Sequence, residues 1–151
     1  MPDASLLLGT WRMTAWTRQS VATGEISDAL GPDPVGYIAY HADGRMMALV
    51  LRRQRPAPSG ARPTDQEKAA LFDTMLAYSA TYTVEDGRVV HHVDAAWNPA
   101  WLGDLIRPFT LDGDSLVISG APSKDPATGE DVIYRIAFER ARAALPPGPL
   151  S

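Results

Sequence analysis

Three Asp-Gly dipeptides, at positions 43–44, 86–87 and 112–113, constrain the fold of this chain more than any other feature. Each lies between two runs of β-prone residues in which apolar and polar side chains alternate. Asp-Gly favours the tight two-residue turn of a β-hairpin, because that turn needs the positive φ angles that glycine accepts readily. The sequence therefore predicts a series of consecutive antiparallel strands.

Eight strands are predicted from the alternation of side chains. They cover about residues 9–18, 35–41, 45–51, 78–84, 88–97, 105–111, 115–119 and 131–140. This pattern indicates an all-β protein whose eight antiparallel strands close into an up-and-down barrel; the alternative is a sandwich of two sheets. A barrel of eight strands is either filled by its own side chains or holds one small ligand.

One α-helix is predicted between the third and fourth strands. Thr64 is a good N-cap, and Glu67 three residues later completes a capping box. Apolar residues at helical spacing extend the predicted helix to about Ala77; they are Ala70, Leu71, Met75 and Leu76. A single helical turn is predicted at residues 98–103.

Composition limits the classes of function that we consider. Residues 6–140 form one predicted domain, and the Pro-rich residues 141–151 form a tail that we expect to be flexible. A net charge of −4 argues against nucleic-acid binding, and the lack of cysteine excludes disulfides and thiolate chemistry. We find no signal peptide and no run of membrane-spanning length, so we expect a cytoplasmic protein.

Several motifs together resemble the bacterial lipocalin-like domain family, a group of calycin-type barrels. The first is Gly-Thr-Trp at residues 9–11, which matches the Gly-x-Trp signature of lipocalins. The others are VGYIAY at 35–40, ADGRM at 42–46, ALFD at 70–73, AYS at 77–79, VHHV at 90–93, WNP at 97–99 with Trp101, and DGDSL at 112–116. The resemblance covers about residues 6–140. It implies a barrel with a cavity, and it implies no established reaction.

The resemblance also assigns a structural role to Trp11, which in lipocalins closes one end of the barrel. An arginine from a late strand often packs over this tryptophan, and either Arg135 or Arg140 is suitable here. The loop at residues 120–130 is longer than the family pattern leads us to expect.

His91 is the leading candidate for a functional group. Strict alternation in the strand at 88–97 places it inward with Val89, Val93, Ala95 and Trp97, whereas the adjacent His92 faces outward. A buried neutral imidazole can exchange a proton or orient a ligand. The alternative is a structural histidine that is bonded to a tyrosine or a backbone carbonyl.

Tyrosines, tryptophans and one arginine complete the set of candidate site residues. The candidate catalytic residues are His91, Tyr82 and Tyr78. The candidate ligand-binding residues are Trp11, Met13, Tyr37, Tyr78, Tyr82, His91, Trp97, Trp101, Arg107, Phe109 and Tyr134. For Arg107 three roles are considered: binding an anionic ligand, pairing with an acid such as Glu139, or lying at the rim.

We expect no metal site and no cofactor. His91 and His92 point to opposite sides of their strand, and His41 and Asp43 lack a third ligand at recognisable spacing. Nucleophile motifs, phosphate-binding loops and dinucleotide fingerprints are absent from the sequence.

Three hypotheses for the function follow. The first is a protein that binds a small apolar or amphipathic molecule inside the barrel. The second, by analogy of fold, is a cofactor-free cyclase, isomerase or dehydratase of bacterial secondary metabolism. The third is an interaction module, for example a homodimer, because Trp16 is predicted on the outer face of the first strand, where a tryptophan often marks an interface.

Overall fold

The computed structural model describes residues 4–125 and 128–142, which form ten strands, one α-helix and two short 3₁₀ turns. The strands are β1 (Gly9–Ser20), β2 (Ile26–Asp28), β3 (Val35–Tyr40), β4 (Arg45–Leu51), β5 (Met75–Glu85), β6 (Arg88–Ala96), β7 (Gly103–Asp112), β8 (Ser115–Ser119), β9 (Ser123–Lys124) and β10 (Asp131–Arg140). The helix α1 covers Asp65–Asp73, and the 3₁₀ turns cover Ala4–Leu7 and Pro99–Trp101. From residue 143 onward, the predicted tail lies outside the described residues.

Eight of the strands form a closed antiparallel barrel in the order β1-β3-β4-β5-β6-β7-β8-β10, and β10 pairs with β1 to complete the ring. The predicted eight-stranded barrel is thus confirmed, and the sandwich alternative is wrong. Two short strands were not predicted: β2 pairs with β1, and β9 pairs with β10. Each adds only two or three residues to the sheet.

The helix begins as predicted and ends earlier. Thr64 accepts a hydrogen bond from the Glu67 backbone, and the Glu67 side chain accepts one from the Thr64 backbone, so the capping box is confirmed. The prediction that the helix extends to Ala77 is wrong, because β5 begins at Met75 and pairs with Leu51 of β4. Pairing in the barrel buries Leu76, whereas none of the helix residues is buried. Tertiary pairing therefore overrides the helical spacing of the apolar residues.

A β-bulge in β1 corrects the predicted position of Trp16. Met13 pairs with Phe138 and Ala15 pairs with Ala137, so Thr14 is an extra residue without a partner in the ladder. Such an insertion reverses which face the following side chains occupy. Trp16 consequently lines the interior of the barrel, and the prediction that it lies on the outer face is wrong.

A second bulge corrects the end of β6. Ser79 pairs with Ala95 and the next residue, Ala80, pairs with Val93, which leaves Asp94 as the extra residue. The predicted inward set is correct for Val89, His91 and Val93, which are buried. It is wrong for Ala95, which is exposed, while Ala96 packs against the core in its place.

One end of the barrel, which we call the filled end, is closed by Leu7, Trp11, Met13, Tyr40 and Met46, all with at most 1% of their surface exposed. The Trp11 indole donates to the Leu7 carbonyl at 2.9 Å, and the Arg140 guanidinium lies 4.2 Å from the centre of the Trp11 ring. Arg140 also donates to the carbonyls of Leu6 and Leu8. Of the two arginines left open by the sequence, Arg140 is therefore the one that packs over the tryptophan.

Candidate functional site

The rest of the barrel interior encloses a cavity of about 750 Å³. This volume lies within the range that small-molecule sites usually have. Apolar side chains from at least five strands form most of its wall, among them Ile38, Ala48, Val50, Leu105, Ile118, Ile136 and Phe138. Leu30 and residues 120–124 belong to loops and β9 and contribute to the same lining. The interior is therefore filled at one end and hollow over the remainder.

His91 lies between two tyrosine hydroxyl groups. Its Nε2 atom is 2.7 Å from the Tyr40 hydroxyl, and its Nδ1 atom is 2.7 Å from the Tyr78 hydroxyl. Tyr40 belongs to the filled end, whereas Tyr78 and His91 line the cavity. The three side chains therefore form a hydrogen-bonded chain that begins in the core and ends at the cavity wall.

Burial determines the charge state of this chain. It lowers the pKa of His91 to about 3, and the nearby positive charge of Arg107 acts in the same direction. Burial raises the pKa of Tyr78 to about 12 against the opposing effect of Arg107, and it raises the pKa of Tyr40 well above its ordinary value. At neutral pH the imidazole and both phenols are therefore uncharged, so they act as hydrogen-bonding groups and not as ions.

Arg107 points into the cavity beside this chain. Its guanidinium lies 6.0 Å from the centre of the Trp101 ring, and it interacts with the Tyr78 hydroxyl. In the described part of the chain Arg107 has no carboxylate within salt-bridge distance, and Glu139 pairs with Arg12 instead. Pairing with Glu139, one of the three roles considered for Arg107, is therefore wrong. A partly buried cation without an acidic partner is left facing the cavity.

Trp16 and Tyr134 form part of the opposite wall. Their rings meet edge to face with centroids 6.4 Å apart, and both line the cavity. The Trp16 indole N–H is buried, and among the described residues it is the one buried side-chain polar atom without a hydrogen-bond partner. Buried donors in native proteins nearly always have a partner, so this group calls for an explanation.

Trp97 and Trp101 pack against each other next to the cavity, with ring centroids 5.3 Å apart. Trp101 stacks on Tyr78 at 6.1 Å and lines the cavity, whereas Trp97 packs against Phe72 of α1 and donates to its carbonyl. Pro99 begins the 3₁₀ turn that carries Trp101, and the Asn98 side chain caps it. The predicted helical turn is therefore present, and it directs one of its two neighbouring tryptophans to the ligand space.

Five of the proposed ligand-binding residues line the cavity: Tyr78, His91, Trp101, Arg107 and Tyr134. The structure does not bring the other six to its wall. Trp11, Met13 and Phe109 are core residues, and Trp97 lies behind Trp101. Tyr37 is 47% exposed on the outer face, and Tyr82 directs its hydroxyl to the His41 carbonyl at 2.8 Å. Tyr82, also proposed as catalytic, therefore has its polar atom bonded away from the cavity.

The polar groups predicted on the outer face are found there. His92 bonds to Asp104 at 2.7 Å through Nδ1 and to Thr83 through Nε2. Asp94 forms two hydrogen bonds with Arg45, which lower the pKa of the carboxyl group. Of these residues only Asp104 borders the cavity, at its exposed edge.

Two residues of the site, Tyr40 and Trp16, were not predicted from the sequence. Tyr40 was not proposed for the site, although its alternation with Ile38 places both on one face of β3 and thus marked it as interior. Trp16 was assigned to the wrong face because nothing in the alternation marks Thr14 as an inserted residue.

The closed antiparallel barrel with a cavity and an N-terminal tryptophan plug defines a class of proteins built to enclose small molecules. The model of the lipocalin-like domain family matches residues 8–141, and the chain belongs to this family. No curated protein matches the sequence at a significant level. In the part of the chain that the structure describes, no helix has the length and apolar character needed to cross a membrane.

Proposed function

We propose that this protein binds a small apolar or amphipathic molecule inside the barrel. The observation that carries this proposal is the cavity of about 750 Å³, which is lined mainly by apolar side chains and by a few polar groups. Burial of about 200 Å² of apolar ligand surface contributes roughly 5 kcal/mol before the cost of immobilising the ligand is subtracted. Since micromolar binding requires about 8 kcal/mol net, a larger buried apolar surface or polar contacts must add to this contribution.

A matched pair of substitutions on one strand tests the proposal. Ala48 lines the cavity, whereas the neighbouring Met47 is 52% exposed on the outer face. Ala48→Trp should fill part of the cavity and weaken binding of lipid-like and polyketide-like compounds, measured by native mass spectrometry and thermal-shift screening. Met47→Trp should leave binding unchanged. Equal effects of the two substitutions, or no hit among the compounds, would contradict binding inside the barrel.

A second candidate function is that of a cofactor-free cyclase, isomerase or dehydratase. The observation in its favour is that Tyr78 and His91, joined by a hydrogen bond, border the ligand space. A pocket of this kind accelerates a cyclisation by holding the substrate near its reactive conformation and by hydrogen bonding to a developing oxyanion. Since the pKa of Tyr78 is about 12, we assign it the role of hydrogen-bond donor, and His91, with a pKa of about 3, orients it.

The enzymatic alternative predicts turnover that depends on the Tyr78 hydroxyl. Tyr78→Phe should lower the rate of product formation about 10²-fold or more while leaving substrate affinity within a few-fold. Tyr82→Phe is the matched control, because its hydroxyl is bonded to the His41 carbonyl. Assays would use intermediates of a pathway encoded by neighbouring genes. Identical rates for wild type and Tyr78→Phe would leave ligand binding as the function.

A further inference from the structure

The polar groups on the inner wall of the cavity are mainly hydrogen-bond donors. Arg107 carries a positive charge and has no acidic partner within salt-bridge distance among residues 4–125 and 128–142. The Trp16 indole N–H is buried without a partner. Arg107 and the ring of Trp16 line the same cavity, although the indole nitrogen itself has no surface exposed to it. A ligand that supplied an acceptor group would pair with the Arg107 guanidinium, for which the protein provides no acid.

The direction of the hydrogen bonds around His91 adds a second donor. A neutral imidazole has one N–H and one acceptor nitrogen, so one tyrosine donates to it and the other accepts from it. Within the described residues the Tyr40 hydroxyl has no hydrogen-bond partner besides His91, so we assign its proton to the bond with Nε2. The proton of His91 is then on Nδ1 and is donated to the Tyr78 oxygen. The hydroxyl proton of Tyr78 remains available to the cavity.

Resting on the binding function proposed above, we propose that the ligand is an apolar molecule with one oxyanion, such as a carboxylate or an enolate, held by Arg107 and Tyr78. The guanidinium supplies charge and two parallel donors, and the phenol supplies a donor that its bond from His91 polarises. The apolar body of the ligand lies against the aliphatic wall that includes Ala48 and Ile118.

The carboxylates that border the cavity do not favour a cationic ligand over the proposed anionic one. Asp73 and Asp104 lie at the exposed edge of the lining, and the Asp104 side chain is 65% exposed and bonded to His92. Charges in contact with water are strongly screened, whereas the charge of Arg107 acts in an apolar surrounding. The field inside the cavity is therefore set by Arg107.

Two probes of nearly equal size test the inference. They are 2-naphthylacetate, which is ionised at pH 7.5, and the neutral 2-(2-naphthyl)ethanol. Isothermal titration calorimetry of the wild-type protein should give a dissociation constant about ten- to one-hundred-fold lower for the carboxylate. Arg107→Met should abolish this preference and retain binding of the alcohol. Arg88→Met, which removes an exposed arginine paired with Glu85 on the outer face, should preserve the preference.

A second variant reports on the same site if Arg107→Met fails to fold. A Cβ atom at Gly120 would lie 3.6 Å from the Arg107 guanidinium, an ordinary contact distance. Gly120→Asp would place a carboxylate beside Arg107 and should compete with the anionic probe, lowering the preference at least ten-fold. The loss of preference in both variants supports the inference. Equal binding of the two probes to the wild type, or a preference that survives Arg107→Met, overturns it and leaves the binding function intact.

Failure of both probes to bind the wild type at millimolar concentration has a different meaning. It would overturn the proposed function itself, because the cavity has room for a naphthyl group. Nuclear magnetic resonance offers an independent measurement of the donor geometry. The ¹⁵N shifts of His91 should identify Nδ1 as the protonated nitrogen, and a proton on Nε2 would contradict the assignment of Tyr78 as a donor to the cavity.

Discussion

Each end of the barrel contains a tryptophan and an arginine. The two pairs differ in whether their polar groups have partners inside the protein. At the filled end, Trp11 donates to a carbonyl and Arg140 is held by two carbonyls and by Asp114. In the cavity, the indole of Trp16 has no partner, and Arg107 has no ion pair within the described residues. The residue types alone therefore do not distinguish a structural from a functional role. What distinguishes the two roles is whether the polar group of the side chain has a partner inside the protein.

Substitution of the two tryptophans by alanine should separate the two ends most strongly. Trp11→Ala should lower the free energy of unfolding by about 3–5 kcal/mol, because it empties a fully buried site and leaves the Leu7 carbonyl unpaired. Trp16→Ala should cost at most about 2 kcal/mol, since this side chain already borders open space. Urea denaturation measures both values, and a Trp16 effect as large as that of Trp11 would show that the two ends are not different.

The two arginines give the next largest difference. Arg140→Met should cost about 2–3 kcal/mol, because it removes hydrogen bonds to two backbone carbonyls and the contact of the guanidinium with the Trp11 ring. Arg107→Met should leave the free energy of unfolding unchanged or raise it, since it removes a cation that has no ionic partner in the described structure. A Tm of Arg107→Met well below that of the wild type would indicate that Arg107 has a structural role.

The pH dependence of stability tests the charge state of His91, which joins the two ends. Because the pKa of His91 is about 3 in the folded protein and near 6.5 in the unfolded chain, the unfolded state binds the extra proton between these values. Stability should therefore fall as the pH decreases below about 6.5, by up to roughly 1.4 kcal/mol per unit from this group. In His91→Gln this part of the slope should disappear, while the contribution of carboxylates remains in both proteins. Curves of stability against pH that run parallel for the wild type and His91→Gln would contradict a buried neutral imidazole.

Removal of single hydroxyl groups gives the smallest expected effects. Tyr40→Phe should cost about 1–2 kcal/mol, because it leaves the buried Nε2 atom of His91 without a partner. Tyr78→Phe should cost at most about 1 kcal/mol, since its position at the cavity wall lets a ligand or solvent molecule replace the hydroxyl. Thermal denaturation of both variants measures the difference, and the reverse order would contradict the division into a filled and an open end.

Much of the fold could be predicted from local chemistry. The hairpins at the three Asp-Gly dipeptides, the capping box at Thr64 and the Gly-Thr-Trp motif each depend on a few adjacent residues, and the structure contains all three features. The predicted two-residue turn is found only at Asp86-Gly87, because four residues, 41–44, connect β3 and β4, and residues 113–114 connect β7 and β8. The two bulges could not be predicted. The residues inserted at Thr14 and Asp94 fit the alternation of their strands, and the pairing partners that expose them as extra residues lie far away in sequence.

The candidate site was only partly predictable for the same reason. Alternation placed Tyr78, His91 and Arg107 on inner faces, and the structure brings them together at the cavity wall. Alternation could not identify Tyr40 as the second partner of His91, because that contact joins residues 51 positions apart. It also assigned Trp16 to the wrong face.

The extra residue in β1 shows how such a binding site can tolerate an insertion. Before Thr14 the inward residues are Trp11 and Met13, which belong to the filled end; after it they include Trp16, which borders the cavity. Deletion of this one codon would remove the bulge and leave Trp16 two ladder positions after Met13, so both side chains would still face inward. In a barrel of this kind, a bulge lets a strand hold one more residue while the side chains that follow it keep their places in the ligand chamber.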